Sequence, residues 1–218
     1  MDSKVYNGYI AILKHELVPA MGCTEPIAVA FAAAKARDVL GRFPEHITAY
    51  LSGNIIKNVK GVTVPNSGGQ RGIDVAATLG CVAGDASLEL EVIKNATQEQ
   101  IERTTHLVHE GFCDAQLVEG KDNLYIRIVA TAGEDSAAVT VEHEHTNITR
   151  IEKNGQVLLS KEYKRAATDE VVVDKSLLNV RQIVEFANEV RLEDVKPMLE
   201  RQIAMNTAIS QELSLIHI

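Results

Sequence analysis

The sequence lacks tryptophan, and only 4% of its 218 residues are aromatic. It has just three cysteines, Cys23, Cys81 and Cys113, which are widely spaced and form no CxxC pair. An odd number at that spacing argues against a disulfide framework and against a self-contained zinc site, and it predicts a reducing compartment. No segment is long and apolar enough to span a bilayer, and residues 1–4 do not open a secretory signal. We therefore predict a cytoplasmic protein that does not insert into a membrane.

Basic residues are also in short supply. The chain has 22 Lys and Arg against 30 Asp and Glu, which gives a net charge of −8, and its basic residues form no stripe. Nucleic acid is therefore not an expected partner, and a small-molecule ligand suits the composition better. The 45% of residues that are hydrophobic suffice for one large or two small domains, each with a core.

The turn Met21-Gly22-Cys23-Thr24-Glu25-Pro26 is the stretch most suited to chemistry. Thr24 is a good N-cap and Pro26 fits a first turn, so an alanine-rich helix is predicted from Ile27 to Leu40. Cys23 then lies just before a helix N-terminus, where unpaired N–H groups and the helix dipole favour a thiolate. A thiolate can ligate a metal or act as nucleophile or base. The alternative is a small buried hydrophobic residue in a structural turn.

A glycine-rich loop, Val64–Gly72, precedes a helix predicted over Ile73–Val82. The backbone N–H groups of Ser67, Gly68 and Gly69 in such a loop can hold an anion. The loop matches neither a P-loop nor a dinucleotide fingerprint, so a plain connection is the alternative.

Periodicity predicts the remaining elements. Helices are predicted over residues 4–18, from Thr97, over Ser176–Val190 and from Leu192 to about Glu212, and strands over 47–52, 114–119, 123–131, 137–148 and 156–160, with a hairpin turn at Asn154-Gly155. In the strand 137–148, His143 and His145 share one face by the period of two. They could bind a metal, but no third ligand is recognisable, which favours surface or hydrogen-bonded histidines.

These elements predict an α+β fold in several parts. Residues 1–95 form a mainly helical part with the Cys23 turn and the glycine loop, and residues 96–165 form a unit of one helix and an antiparallel sheet. Residues 166–212 are the start of a helical domain that is expected to be truncated. The last six residues, 213–218, resemble a translated sequencing adapter and are excluded from the prediction, so the natural protein is expected to continue.

Four segments carry a resemblance to a known family. They are MGCTEPIA at Met21–Ala28, SGNIIKN at Ser52–Asn58, VPN at the start of the glycine loop, and HTNI at His145–Ile148. In this order they resemble the L-cysteine desulfidase family, which is related to the iron–sulfur L-serine dehydratase alpha subunit. The resemblance runs from about residue 4 to 212 and covers the N-terminal half of such proteins.

The resemblance implies a [4Fe-4S] cluster, oxygen sensitivity, and conversion of L-cysteine to pyruvate, ammonia and hydrogen sulfide without pyridoxal phosphate. It makes Cys23 either a cluster ligand or the thiolate at the reacting centre. The carbanionic intermediate needs its carboxylate neutralised, which suits Lys57, Asn54 and the N–H groups of the glycine loop. Asn58 and His145 complete the predicted substrate-binding set. The alternatives are a solvated surface lysine for Lys57 and turn formation for the two asparagines.

Two further functions stay open at this point. One is the same elimination on L-serine or L-threonine, where hydroxide is the poorer leaving group. The other is a non-catalytic module that binds an amino acid. Cys81 and Cys113 are predicted to be structural, so the other cluster ligands are expected in a missing C-terminal half and the chain itself is expected to be inactive. The oligomeric state is left open, with a homo-oligomer among the alternatives.

Overall fold

The chain is described by a computed structural model over residues 1–161 and 173–216. The described residues group into two units, one of residues 20–161 and one of residues 1–19 with 173–216. The helices are α1 Ser3–Glu16, α2 Thr24–Leu40, α3 Gly53–Val59, α4 Ile73–Ala83, α5 Gln98–His109, α6 Val180–Glu189 and α7 Leu192–Ile216, with short 3-10 segments at Ala86–Glu91 and Lys175–Leu177. The strands are β1 His46–Leu51, β2 Cys113–Leu117, β3 Tyr125–Ala132, β4 Asp135–Glu142, β5 Ile148–Lys153 and β6 Gln156–Ser160.

The larger unit is built on one six-stranded sheet with the order β2-β1-β3-β4-β5-β6. The β1–β2 pair is parallel and every other pair is antiparallel, so the sheet is mixed. The predicted α+β class is therefore confirmed. β1 comes from the part predicted to be mainly helical, and it lies inside the sheet with strands from residues 96–165, so the sheet draws on both sides of residue 95.

The prediction of one strand over 137–148 is wrong. β4 ends at Glu142, β5 begins at Ile148, and the residues between them form a turn in which His143 has φ 69°. Such a left-handed conformation interrupts a strand, so the period-two pattern through this region does not describe one face of a sheet. The hairpin turn between β5 and β6 is confirmed, and Asn154 and Gly155 both have positive φ (50° and 78°).

Helix α2 is buried along most of its length because it packs between α4 and the strands β3 and β4. Its apolar residues therefore surround the helix and do not form one stripe. α2 and α4 approach closely at small residues: a Cβ added to Gly80 would lie 2.7 Å from Ala30 Cα and closer still to the Ala30 carbonyl oxygen. One turn on, a Cβ added to Gly84 would lie 2.7 Å from Ala34 Cβ. The small residues at these positions allow the two backbones to touch.

The smaller unit contains α1, α6 and α7, whose bounds lie within a few residues of the predicted ones. Its core is formed by Tyr9, Phe186 and Val195, and the rings of Tyr9 and Phe186 lie 5.1 Å apart. Two apolar side chains of α7, Ile203 and Ile209, are exposed. Over the described ranges, no helix has both the length and the apolar composition that crossing a membrane requires.

Candidate functional site

Helix α2 begins three residues earlier than the predicted start at Ile27. The helix starts at Thr24, and Cys23, in extended conformation (φ −62°, ψ 122°), is the N-cap residue. The prediction of Thr24 as N-cap is therefore corrected. Cys23 makes no side-chain capping hydrogen bond. Its half-buried thiol instead donates to Glu25 Oε2 at 3.1 Å, so the side chain engages the first helical turn through a carboxylate.

The Glu25 carboxylate is the centre of a polar cluster, which we call the Glu25 cluster: Cys23, Thr24, Glu25, Asn58 and His145. Asn58 Nδ2 donates to Glu25 Oε1 at 3.2 Å, while the thiol of Cys23 occupies Oε2. Thr24 Oγ1 lies 3.4 Å from Glu25 Oε2 and 3.1 Å from His145 Nε2. The cluster thus joins the start of α2, helix α3 and the turn after β4.

Electrostatics in the cluster keep the acid ionised and the thiol protonated. Burial would raise the pKa of the Glu25 carboxyl, but hydrogen bonds from Cys23, its own backbone N–H and Asn58, with the nearby charge of His145, hold that pKa below its usual range. Burial raises the pKa of the Cys23 thiol, and the hydrogen bond to Glu25 raises it further, while a backbone N–H of Glu25 acts in the opposite direction. The expectation of a thiolate favoured by the helix N-terminus is therefore corrected.

This electrostatic coupling makes a prediction for thiol reactivity. Glu25→Gln removes the carboxylate that raises the pKa of Cys23, so the thiolate fraction at pH 8 should rise. A fall of one pKa unit would raise that fraction about tenfold, and the lower intrinsic nucleophilicity would leave a net gain of roughly threefold. The rate of Cys23 alkylation by iodoacetamide, followed by mass spectrometry across pH 7–10, measures this. Glu119→Gln, at an exposed glutamate, is the matched control.

The prediction fails if Cys23 in Glu25→Gln is alkylated no faster than in the unmodified chain while the Glu119→Gln control keeps the unmodified rate. The carboxylate would then not control the reactivity of the thiol.

Helix α3 carries two more predicted residues on the face that holds Asn58. Asn54, Lys57 and Asn58 have the i, i+3, i+4 spacing and so share one face of this helix. Asn58 reaches Glu25, whereas Asn54 and Lys57 are exposed. Within the described ranges Lys57 forms no ion pair. Ser52, the first residue of the Ser-Gly-Asn motif, is the N-cap of α3.

The glycine loop packs against the Cys23 turn but differs from the predicted anion site. A Cβ added to Gly22 would lie 3.5 Å from Pro65 Cγ, so the loop and the turn are neighbours. Ser67 is buried, its backbone N–H donates to the Val64 carbonyl and its hydroxyl donates to Gln70 O. The Ser67 N–H is therefore hydrogen-bonded within the loop and does not face an anion. The prediction that Ser67 helps to hold an anion is corrected.

Gly68 and Gly69 both have positive φ (72° and 85°), a conformation that favours glycine. A Cβ on Gly68 would lie 3.2 Å from Ile101 Cγ2 of α5, while a Cβ on Gly69 would have no neighbour within 4 Å. The loop is therefore packed against α5 at Gly68 and open on the Cα side of Gly69.

The two histidines of the turn after β4 have different partners. His145 belongs to the Glu25 cluster through Thr24, whereas His143 Nδ1 lies 3.0 Å from Asp122 Oδ2. They do not share a strand face. Among the residues that the structure describes, no group of three or more His, Cys, Asp or Glu side chains is arranged to hold a metal ion.

The other two cysteines lie away from Cys23. Cys81 is fully buried, burial raises its pKa to about 12, and its thiol faces the Ala33 carbonyl at 3.5 Å. Ala33 is ten residues after Cys23 on α2, which is roughly 15 Å along the helix. Burial also raises the pKa of the Cys113 thiol, with the nearby Cys81 as a further cause. Both cysteines belong to the α4 and β2 region, as a structural role predicts.

Sequence reasoning missed the role of Glu25 and Thr24. Both stand in the motif around Cys23, and an acidic residue two positions after a cysteine in a first helical turn is a signal that could have pointed to Glu25. Its partners could not be found that way, because Asn58 is 33 residues from Glu25 and His145 is 121 residues from Thr24.

Comparison with known proteins shows relatives that are longer than this chain. It is 46% identical over 208 residues to the UPF0597 protein of Lachnoclostridium phytofermentans, a match that covers 95% of this chain and 49% of that relative. The UPF0597 protein of Finegoldia magna is 44% identical over 207 residues, covering 94% and 49%, and that of Parabacteroides distasonis is 42% identical over 201 residues, covering 92% and 46%. The chain thus spans about half the length of the curated relatives it matches. No family profile and no solved structure matches it.

Proposed function

We propose that the Glu25 cluster is part of the active site of a carbon–sulfur lyase of the L-cysteine desulfidase type. The observation that supports this proposal is that three separate motifs of the resemblance meet at the start of α2, where Cys23 and Asn58 bond the Glu25 carboxylate and His145 contacts the adjacent Thr24 hydroxyl. An ionised acid hydrogen-bonded to a thiol, with a histidine nearby and a lysine on the same face of α3 as Asn58, offers the groups that an elimination requires. The substrate is a small amino acid, and the reaction belongs in the cytoplasm, where reducing conditions keep Cys23 a free thiol.

The proposed elimination follows from the chemistry of L-cysteine. A base takes the Cα proton while the Cβ–S bond breaks, so sulfide leaves and 2-aminoacrylate forms. This product tautomerises to 2-iminopropanoate, and water then releases ammonia and gives pyruvate. No oxidant or reductant is consumed. The Cα proton is weakly acidic, so the step needs a strong base and a neutralised carboxylate.

The residues of the Glu25 cluster can perform the proton movements. Glu25 Oε2 accepts the hydrogen bond from Cys23 Sγ at 3.1 Å and so positions the sulfur, and loss of the thiol proton to solvent leaves a thiolate. The raised pKa of Cys23 makes this thiolate scarce at neutral pH but a stronger base toward the Cα proton. Lys57 would meet the substrate carboxylate, with Asn54 beside it. Asn58 and Thr24 hold Glu25 and His145 in position.

The [4Fe-4S] cluster that the resemblance implies cannot be held by the described residues alone. A [4Fe-4S] cluster with one open iron takes three thiolates close together, and only Cys23 lies in this site. Cys81 bonds a carbonyl roughly 15 Å along α2, and Cys113 is near Cys81. The roles given above to Cys23, Lys57 and Asn58 therefore do not depend on an iron–sulfur cluster. Under the proposal, any remaining ligands come from the part of the longer relatives that this chain does not span.

The test of the proposed function uses the completed protein, by which we mean this chain joined in frame to the part of the Lachnoclostridium phytofermentans relative that it does not match. Anaerobic incubation with L-cysteine, L-serine and L-threonine in parallel, with sulfide and 2-oxo acids measured, separates the alternatives. Sulfide and pyruvate from L-cysteine support the desulfidase. A 2-oxo acid from serine or threonine alone would indicate the dehydratase instead, and binding of all three without products would indicate a binding module.

Lys57→Ala is expected to weaken L-cysteine turnover in the completed protein. Loss of a charge-assisted contact to the carboxylate costs about 2 kcal/mol, which corresponds to a fall in kcat/KM of roughly 30-fold. Steady-state sulfide release measures it. Lys94→Ala, at an exposed lysine paired with Glu91, is the control. A change below about twofold in Lys57→Ala would assign Lys57 to the solvated surface.

A further inference from the structure

A second polar pocket lies beside α2 in the larger unit, with a volume of about 260 Å³. Its wall on α2 is formed by Phe31 and Lys35, and the turn between β4 and β5 contributes Thr146 and Asn147. Lys161, just after β6, closes another side. The volume lies just below the range of roughly 300–1,000 Å³ that holds drug-sized ligands, so the pocket suits a small metabolite.

The pocket is separate from the Glu25 cluster. Phe31 and Lys35 are seven and eleven residues after Thr24 on α2, which is roughly 10 and 16 Å along the helix axis. None of the side chains whose hydrogen bonds define the cluster lines the pocket. The turn after β4 serves both, since it sends His145 to the cluster and the next two residues to the pocket.

The charges around the pocket are unbalanced in favour of cations. Neither Lys35 nor Lys161 forms an ion pair with another residue in the described ranges, although the chain as a whole carries a net charge of −8. Glu89 is the one carboxylate in the lining; it is exposed, and its backbone has φ 49°. Two lysines beside one concave surface, neither of them ion-paired among the described residues, favour an anionic ligand, because a bound anion would supply the counter-charge.

The polar side chains of the turn between β4 and β5 add a further hydrogen-bond donor for an anion. Thr146 contributes a hydroxyl for which the described residues offer no hydrogen-bond partner. The Asn147 amide, by contrast, donates to the Glu142 carbonyl at 2.9 Å and so fixes the shape of the turn. Lys35, Lys161 and Thr146 are therefore the donors that the described part of the chain leaves available.

We propose that this pocket binds a small dianion, a dicarboxylate or a phosphate group, between Lys35 and Lys161, with the Thr146 hydroxyl as a third donor. A dianion can place one negative charge beside each ammonium group, whereas a single-charge anion can pair with only one of them. This binding is independent of lyase activity, because no residue of the Glu25 cluster takes part. The binding proposal can therefore be tested separately from the turnover assays.

Calorimetric titration of the 218-residue chain at pH 8 and constant ionic strength tests the proposal, with inorganic phosphate in one arm and succinate in the other. Saturable binding in either arm supports it, and the arm that binds more tightly identifies the source of the charge. Lys161→Gln and Lys35→Met are each expected to weaken binding by about tenfold or more, as loss of one charge-assisted contact implies. Lys153→Gln, at the far end of β5, is expected to leave the affinity unchanged.

Glu89→Gln provides a test of opposite sign, because removal of the one carboxylate in the lining should tighten dianion binding. Lys161 is exposed and Lys35 is half-buried. The Lys161→Gln variant therefore keeps the fold and tests the proposal even if Lys35→Met does not fold. No saturable heat in either arm, equal affinity in Lys161→Gln and the unmodified chain, or an equal loss in Lys153→Gln would overturn the proposal. Weaker binding in Glu89→Gln would overturn the dianion as ligand, since it would mean that the carboxylate attracts a cationic group.

Discussion

Replacing Cys23 by serine is expected to lower sulfide release from L-cysteine by about 10²–10⁴-fold in the completed protein, the range lost with a group that transfers protons in a transition state. Serine has nearly the same size, so the turn and its hydrogen bond to Glu25 Oε2 can persist. Its hydroxyl is far less acidic than a thiol and supplies no base at neutral pH. The measurement is steady-state sulfide release under anaerobic conditions, with the far-ultraviolet circular dichroism spectrum as a check of the fold.

The control for this variant is Cys113→Ser, which removes another thiol of the same chain. Cys113 lies at the start of β2, outside the Glu25 cluster, so its variant should keep turnover within a small factor. Activity retained in Cys23→Ser would assign Cys23 to a structural role. Equal losses in both variants would point to general destabilisation.

Gly80→Ala is expected to have the largest effect on stability. The added Cβ would lie 2.7 Å from Ala30 Cα, and the obstacle is the backbone of α2, which cannot move aside as a flexible side chain can. Overpacking of a close-packed core costs roughly 1–3 kcal/mol and more where backbone must shift, so we expect a loss of at least about 3 kcal/mol in the free energy of unfolding. Urea denaturation of the 218-residue chain, followed by circular dichroism, measures it.

Gly61→Ala is the matched control because a Cβ at Gly61 has no neighbour within 4 Å. It should change the free energy of unfolding by less than about 1 kcal/mol. If Gly80→Ala were as stable as Gly61→Ala, the backbones of α2 and α4 could not be in the contact described here.

Local sequence patterns predict much of the fold because they report on local forces. Alternating apolar residues predict β1 and β3, and Asn154-Gly155 predicts its hairpin because both residues tolerate positive φ. The same reasoning fails at His143, where the alternation continues through a residue whose φ of 69° ends the strand. The tertiary environment there overrides the local pattern.

The site shows the same division between local and distant information. The sequence motifs place Cys23, Asn58 and His145 among the candidates, but they do not show which of these side chains are in contact. The sign of the pKa shift at Cys23 depends on the Glu25 carboxylate and on burial, and the helix N-terminus alone predicts the opposite sign. The convergence on Glu25 appears only once α3 and the turn after β4 are packed against α2.

Sulfide release from L-cysteine by Glu25→Gln in the completed protein tests the central claim most directly, because Glu25 is where the separate motifs meet. Glutamine keeps the size of the side chain, but its neutral amide loosens the charge-assisted hydrogen bonds that position Cys23 and Asn58, and this loss of position outweighs the roughly threefold gain in thiolate reactivity. We expect sulfide and pyruvate formation to fall together by about 10²-fold or more while the fold is preserved. Unchanged production of sulfide and pyruvate by a folded Glu25→Gln protein would contradict it.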